Sequence, residues 1–131
     1  MKIIIADADR DFCELLECSI QAAMPLAQLE AVFDGVTLLQ RVEDRQPELI
    51  ILNLMLPHKD GLAAFAAIRA MDLPVQPQVM VLSGYLTPRM QEELCHLRPC
   101  FFTALPCDLQ ALTQRVQSCC RELVFTPFRR R

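Results

Sequence analysis

The chain has 131 residues, 53% of them hydrophobic and 22% charged, with a formal net charge of −3. That is length for one domain with a large core, and the charge is too small for a nucleic-acid surface or a disordered acidic tail. No apolar stretch is long enough to span a bilayer, and Met1-Lys2 leads straight into a short apolar run, so a cytoplasmic chain without a secretion signal is expected.

Lys2 to Ala6 (KIIIA) reads as a short Ile-rich strand ending on Asp7. From about Asp9 to Ala23, Phe12, Leu15, Leu16 and Ile20 recur at helical spacing until Pro25 closes the segment. Leu29 to Phe33 is a second strand, and Asp34-Gly35 opens a helix carrying Val36, Leu38, Leu39 and Val42. Pro47 breaks it before a third strand, Leu49 to Leu52, which runs into Asn53. An Ala-rich helix covers Gly61 to Met71, and Val79 to Leu82 is a fourth strand ending in Ser83-Gly84. A shorter helix from Pro88 to Leu97, a fifth strand at Cys100 to Ala104 and a last helix from about Asp108 to Leu123 complete the order.

Strands that alternate with helices in this way, five of each, call for an α/β fold: a doubly wound parallel sheet covered on both faces. Ligand chemistry in such sheets gathers at the carboxyl ends of the strands. Those ends hold Asp7, Asn53, Ser83 and Ala104-Leu105.

Seven cysteines (Cys13, Cys18, Cys95, Cys100, Cys107, Cys119 and Cys120) form an odd set without C-x-x-C spacing, which argues against a disulfide framework or a zinc knuckle. Core filling is the first reading for most of them.

The segment "LIILNLMLPHKDG" resembles the third strand and following loop of response regulator receiver domains in two-component signalling, where Asp-x-x-x-Pro-x-x-Asp-Gly is usual. "VMVLSGY" is similar to that family's fourth strand with its hydroxyl residue at Ser83, and "FFTALPCDL" to its fifth strand with a Lys-Pro step. "IIIADADRDF" resembles the family's opening, nearest to the receiver of the sporulation master regulator. The resemblance covers nearly the whole chain and implies a flavodoxin-like receiver fold serving phosphorelay signal transduction. It also implies a phosphoacceptor aspartate, a magnesium ion held by acids after the first strand, and a hydroxyl and a lysine on the phosphoryl oxygens.

Three of five positions depart from that pattern. Asn53 stands at the acceptor position, Ala8 replaces the second acid, and Leu105 stands in place of the lysine. An amide has no useful nucleophilicity, so only Asp7 and Ser83 keep suitable chemistry. The losses fit one another, because removing acids removes the repulsion that a metal and a lysine would offset. The expectation is a degenerate receiver, a pseudo-receiver that is not an enzyme, with no catalytic residue and no cofactor. Magnesium binding would be weak or absent, limited to Asp7, Asn53 and the Met55 carbonyl. Asp7 is expected to be solvated or helix-capping, Asp9 to sit at the rim or at the start of the first helix, and His58 to be exposed. Ser83 with Gly84 is read as a turn.

Phe102 falls at the family's switch-aromatic position, and packing is expected to hold it in one rotamer. The resemblance implies a docking or dimer face on the fourth helix, fifth strand and fifth helix, with Met90, Leu94, Phe102, Cys107, Leu112 and Val116 as candidates. The expected role is phosphorylation-independent control of signalling or transcription through a protein partner or a second copy. Residues 1–124 are assigned to the receiver-like domain. Residues 125–131 are read as a basic tail or the start of a linker, and DNA contact is expected only through an output domain that these residues lack. Two alternatives remain open: a working phosphoacceptor switch using Asp7 or Asp9, and a thiol or metal sensor built on the cysteines.

Overall fold

A computed structural model describes residues 1–125, with the side chains described through residue 123. Of the expected tail, 125–131, Phe125 ends the last helix, and residues 126–131 lie outside the described residues. The elements are β1 (Lys2–Ala6), α1 (Arg10–Ala23), β2 (Gln28–Val32), α2 (Gly35–Arg45), β3 (Leu49–Asn53), α3 (Gly61–Ala70), β4 (Gln78–Ser83), α4 (Pro88–Leu97), β5 (Phe101–Ala104) and α5 (Leu109–Phe125). Every strand pairing is parallel, in the order β2-β1-β3-β4-β5. The expected doubly wound sheet is therefore present, and the element bounds shift by a residue or two.

Each helix begins where a short polar side chain can satisfy a free amide of its first turn. Asp9 accepts from the Phe12 amide, Asp34 from Thr37, Asp60 from Ala63, Thr87 from Met90 and Asp108 from Ala111. Pro88 at the start of α4 loses nothing, because its amide would have had no helical partner.

The period-2 alternation of the strands divides the core into two layers. Ile4, Ala6, Ile50, Leu52, Val79 and Val81 face α2, α3 and α4, meeting Leu38, Val42, Phe65, Ile68 and Leu94. Ile3, Ile5, Leu49, Ile51, Met80 and Leu82 face α1 and α5, meeting Leu16, Ile20, Leu112 and Val116. Strands apolar on both faces read as continuous hydrophobic runs, which explains KIIIA and LIIL.

Three proposed docking-face candidates are corrected here. Leu94, Leu112 and Val116 are buried in the two core layers. A helix lying on a sheet turns its apolar stripe inward, and these residues belong to that stripe. No helix among the described residues is long and apolar enough to cross a membrane.

Candidate functional site

The carboxyl ends of β1, β3, β4 and β5 border an open cleft of about 530 Å³, lined by Asp7, Asp9, Phe12, Asn53, Gly84, Leu105, Pro106 and Cys107. The sheet order brings this about: β1 lies beside β3, and β3 beside β4, so residues far apart in sequence end at one edge. Asp7, Asn53 and Leu105 therefore meet, as their strand-end positions predict. Ala8 is exposed just after β1 and Ser83 is buried at the end of β4. Neither is among the cleft-lining residues named above.

Asp7 is only 5% exposed, so the expected solvated or capping acid is corrected. Its two carboxylate oxygens are separately engaged: Oδ1 accepts the Asp9 amide at 2.9 Å, and Oδ2 accepts Nδ2 of Asn53 at 3.0 Å. The cap of α1 belongs to Asp9 instead. A buried carboxylate needs such donors, because desolvation without them is costly.

Asn53 is oriented from both ends. Its Oδ1 accepts the Met55 amide at 2.9 Å, which leaves Nδ2 to face Asp7. Rotating the amide end for end would set NH₂ against the Met55 N–H and carbonyl oxygen against carboxylate, two repulsive contacts. The acceptor position thus carries a donor aimed at Asp7. This donor set does not fit magnesium, which requires several hard oxygens in octahedral array. The side chain of Met55 is exposed outside. Among the described residues no group of three or more His, Cys, Asp or Glu side chains could hold a metal ion.

Ser83 closes a local turn. Its hydroxyl donates to the Tyr85 carbonyl and accepts the Tyr85 amide at 3.2 Å, so the residue acts as a turn former, as the Ser-Gly pair suggests. Leu105, half-buried, packs against the α1–α5 layer and covers that side of the cleft with hydrocarbon. Phe12, Gly84, Pro106 and Cys107 complete the lining and were not singled out as cleft residues from sequence. Phe12 was read only as a helical core position, and the other three follow strand ends β4 and β5.

The loop from Leu54 to Asp60 is held by tight backbone contacts. Leu54 and Leu56 are buried, the Gly61 amide donates to the Leu54 carbonyl at 2.9 Å, and the Gly35 amide donates to that of Pro57 at 3.2 Å. A Cβ on Gly61 would lie 2.5 Å from the Leu54 Cα, and one on Gly35 would lie 2.0 Å from the Lys59 carbonyl oxygen. His58 is exposed, as expected, with φ 68° in the left-handed region.

Phe102 is 37% exposed and points outward from β5, so packing does not enclose it. Tyr85, after β4, is 67% exposed. Of the remaining docking-face candidates, Met90 is half-buried against the α2–α4 layer, and Cys107 belongs to the cleft.

A model of the response regulator receiver domain matches residues 3–117. Among solved structures, the N-terminal domain of an uncharacterized Wolinella succinogenes protein is 22% identical, with a TM-score of 0.83 over 95% of this chain and 97% of that one. A Francisella response regulator receiver domain is 18% identical, with a TM-score of 0.80 over 93% and 98%. The signal receiver domain of a DNA-binding response regulator from Colwellia psychrerythraea is 17% identical, with a TM-score of 0.80 over 92% and 98%. At these identities the structures establish the shared fold, while the family model spans most of the sequence. The chain belongs to the response regulator receiver domain family.

Proposed function

We propose that this chain is a pseudo-receiver, a non-catalytic signalling module that works through protein–protein contact without being phosphorylated. The observation that carries the reading is the Asn53–Asp7 hydrogen bond at 3.0 Å. An acceptor carboxylate must attack phosphorus through a free oxygen lone pair, and the amide nitrogen here is a donor already committed to Asp7. Leu105 offers no charge for phosphoryl oxygens, and Ser83 spends its hydroxyl on its own loop. Without a phosphoryl group to bind one conformation better than another, phosphorylation does not shift this domain's populations.

The alternative acceptors are less well supported. Asp7 is buried with both oxygens engaged, and Asp9 caps α1 with its carboxylate. For the docking surface, the exposed rings of Phe102 and Tyr85 favour the side of the sheet around β5. The partner is another protein or a second copy, and DNA contact would require an output domain. Likeness to the sporulation regulator's receiver rests on the opening segment alone.

The test is intact mass after incubation with magnesium and acetyl phosphate, compared with the variant Ala8→Asp, Asn53→Asp, Leu105→Lys. The expected result is no phosphoryl gain by the natural chain and a gain by the variant. A phosphorylated natural chain would overturn the reading, and the modified residue would then define the site.

A further inference from the structure

The contact between β5 and α5 carries a second chemistry. The sulfurs of Cys100 and Cys119 lie 3.9 Å apart, in van der Waals contact and half-buried. Beside them the guanidinium of Arg115 lies 4.0 Å from the centroid of the Phe101 ring. Two successive residues entering β5 thus meet two residues one helical turn apart on α5, since positions i and i+4 share a helix face. The Arg115–Phe101 contact beside them holds the thiols in register.

We propose that Cys100 and Cys119 form a redox-sensitive thiol pair that closes to a disulfide when the chain meets a peroxide. Cys119 attacks first: its thiolate forms a bond to one peroxide oxygen, the O–O bond breaks, and the departing hydroxide takes a proton to leave as water. Cys119 is then a sulfenic acid, oxidised by two electrons, and the peroxide is reduced. The Cys100 sulfur next attacks the Cys119 sulfur, so that an S–S bond forms, the S–O bond breaks, and the hydroxyl leaves with the Cys100 proton as a second water. Two thiols and one hydrogen peroxide become one disulfide and two waters.

The order of attack follows from the surroundings. The hydrogen bond shared with Cys100, in which either sulfur can donate, holds Cys119 below the usual thiol range with help from Arg115, against burial and Glu122. Cys100 is pushed up by the same hydrogen bond and by burial. Burial pushes Cys13 up to about 12 and Cys120 up to about 11, which keeps both protonated and inert. Closure requires the sulfurs to approach to about 2.05 Å. The bond would staple α5 to the edge strand next to the exposed Phe102.

The test treats the whole chain with a small excess of hydrogen peroxide, blocks the remaining thiols under denaturing conditions and maps the peptides by mass. The expected product lacks two hydrogens, joins the Cys100 and Cys119 peptides and reverts with dithiothreitol. In Cys100→Ser, dimedone is expected to label Cys119. The natural-chain mapping stands alone if that variant does not fold. No crosslink, or a dominant crosslink between any other pair such as one involving Cys18 or Cys95, overturns the proposal.

Discussion

The loop after β3 and the cleft it borders obey different constraints. The loop is defined by backbone sterics: two glycines pressed against carbonyls and main chain, two buried leucines and a capping aspartate. The cleft is defined by a few side-chain tips, where Asn53 donates to Asp7 and Leu105 covers the side at β5. A frame set by close packing cannot be changed one atom at a time, because interiors are already dense. Site chemistry can, because exchanging one tip for another of similar size leaves the frame intact. The receiver fold and receiver chemistry are therefore separable, and this chain holds the first with Ala8, Asn53 and Leu105 at three positions of the second.

The sharpest way to break the comparison is to load the frame. Gly61→Ala places a methyl 2.5 Å from the Leu54 Cα, where only main chain can yield. A loss of about 3 kcal/mol is expected, toward the top of the overpacking range, measured by urea denaturation. A neutral result would mean that the loop is more compliant than its contacts imply. A cleft substitution should act less strongly and through charge. Asn53→Asp exchanges a hydrogen bond for two facing carboxylates, with an expected cost of about 2 kcal/mol at neutral pH without metal. Millimolar magnesium should recover part of it. So should acidification, since a protonated carboxyl can donate as the amide now does. Unchanged stability at neutral pH would contradict the assigned Asn53–Asp7 bond.

The same division explains what was legible in the sequence. Strands such as KIIIA and LIIL, bounded by acids and prolines, announce themselves because they are buried on both faces. Strand ends then locate Asp7, Asn53 and Leu105 at one edge without any side-chain information. Orientation was harder to read. Leu112 and Val116 lie on the inward stripe of α5 with Cys120 and Leu123, at i, i+4, i+8 and i+11, a helical period that was available in the sequence but was overridden by their assignment to a docking face. The burial of Asp7 does not follow from its neighbours in sequence, because burial of an acid depends on its donors and Asn53 lies 46 residues away. The Cys100–Cys119 contact escapes spacing rules for a similar reason. The chain returns from β5 through α5 to bring together thiols 19 residues apart.

The smallest expected effect tests the frame's own electrostatics. Asp34 accepts the Thr37 amide at 2.8 Å and the Thr37 hydroxyl at 2.9 Å, and it caps the helix whose Gly35 abuts the Lys59 carbonyl. The Thr37 amide, above all, holds its carboxyl below the usual carboxylate range; partial burial opposes that, while the Thr37 hydroxyl, His58 and the Val36 amide assist. A lowered folded pKa means that the carboxylate stabilises the fold above its unfolded value. That contribution is lost as pH falls through the folded value. Asp34→Ala should therefore cost about 1 kcal/mol near neutrality, the usual worth of such a cap, and progressively less as the solution is acidified. Asp34→Asn, which keeps an acceptor but no charge, should cost less, and its deficit should shrink over the same acid range, because both variants remove the same titrating group. Denaturation midpoints at neutral and acid pH separate the cases: an alanine deficit that persists undiminished in acid would mean that packing, rather than the charged cap, fixes the start of α2 against the loop.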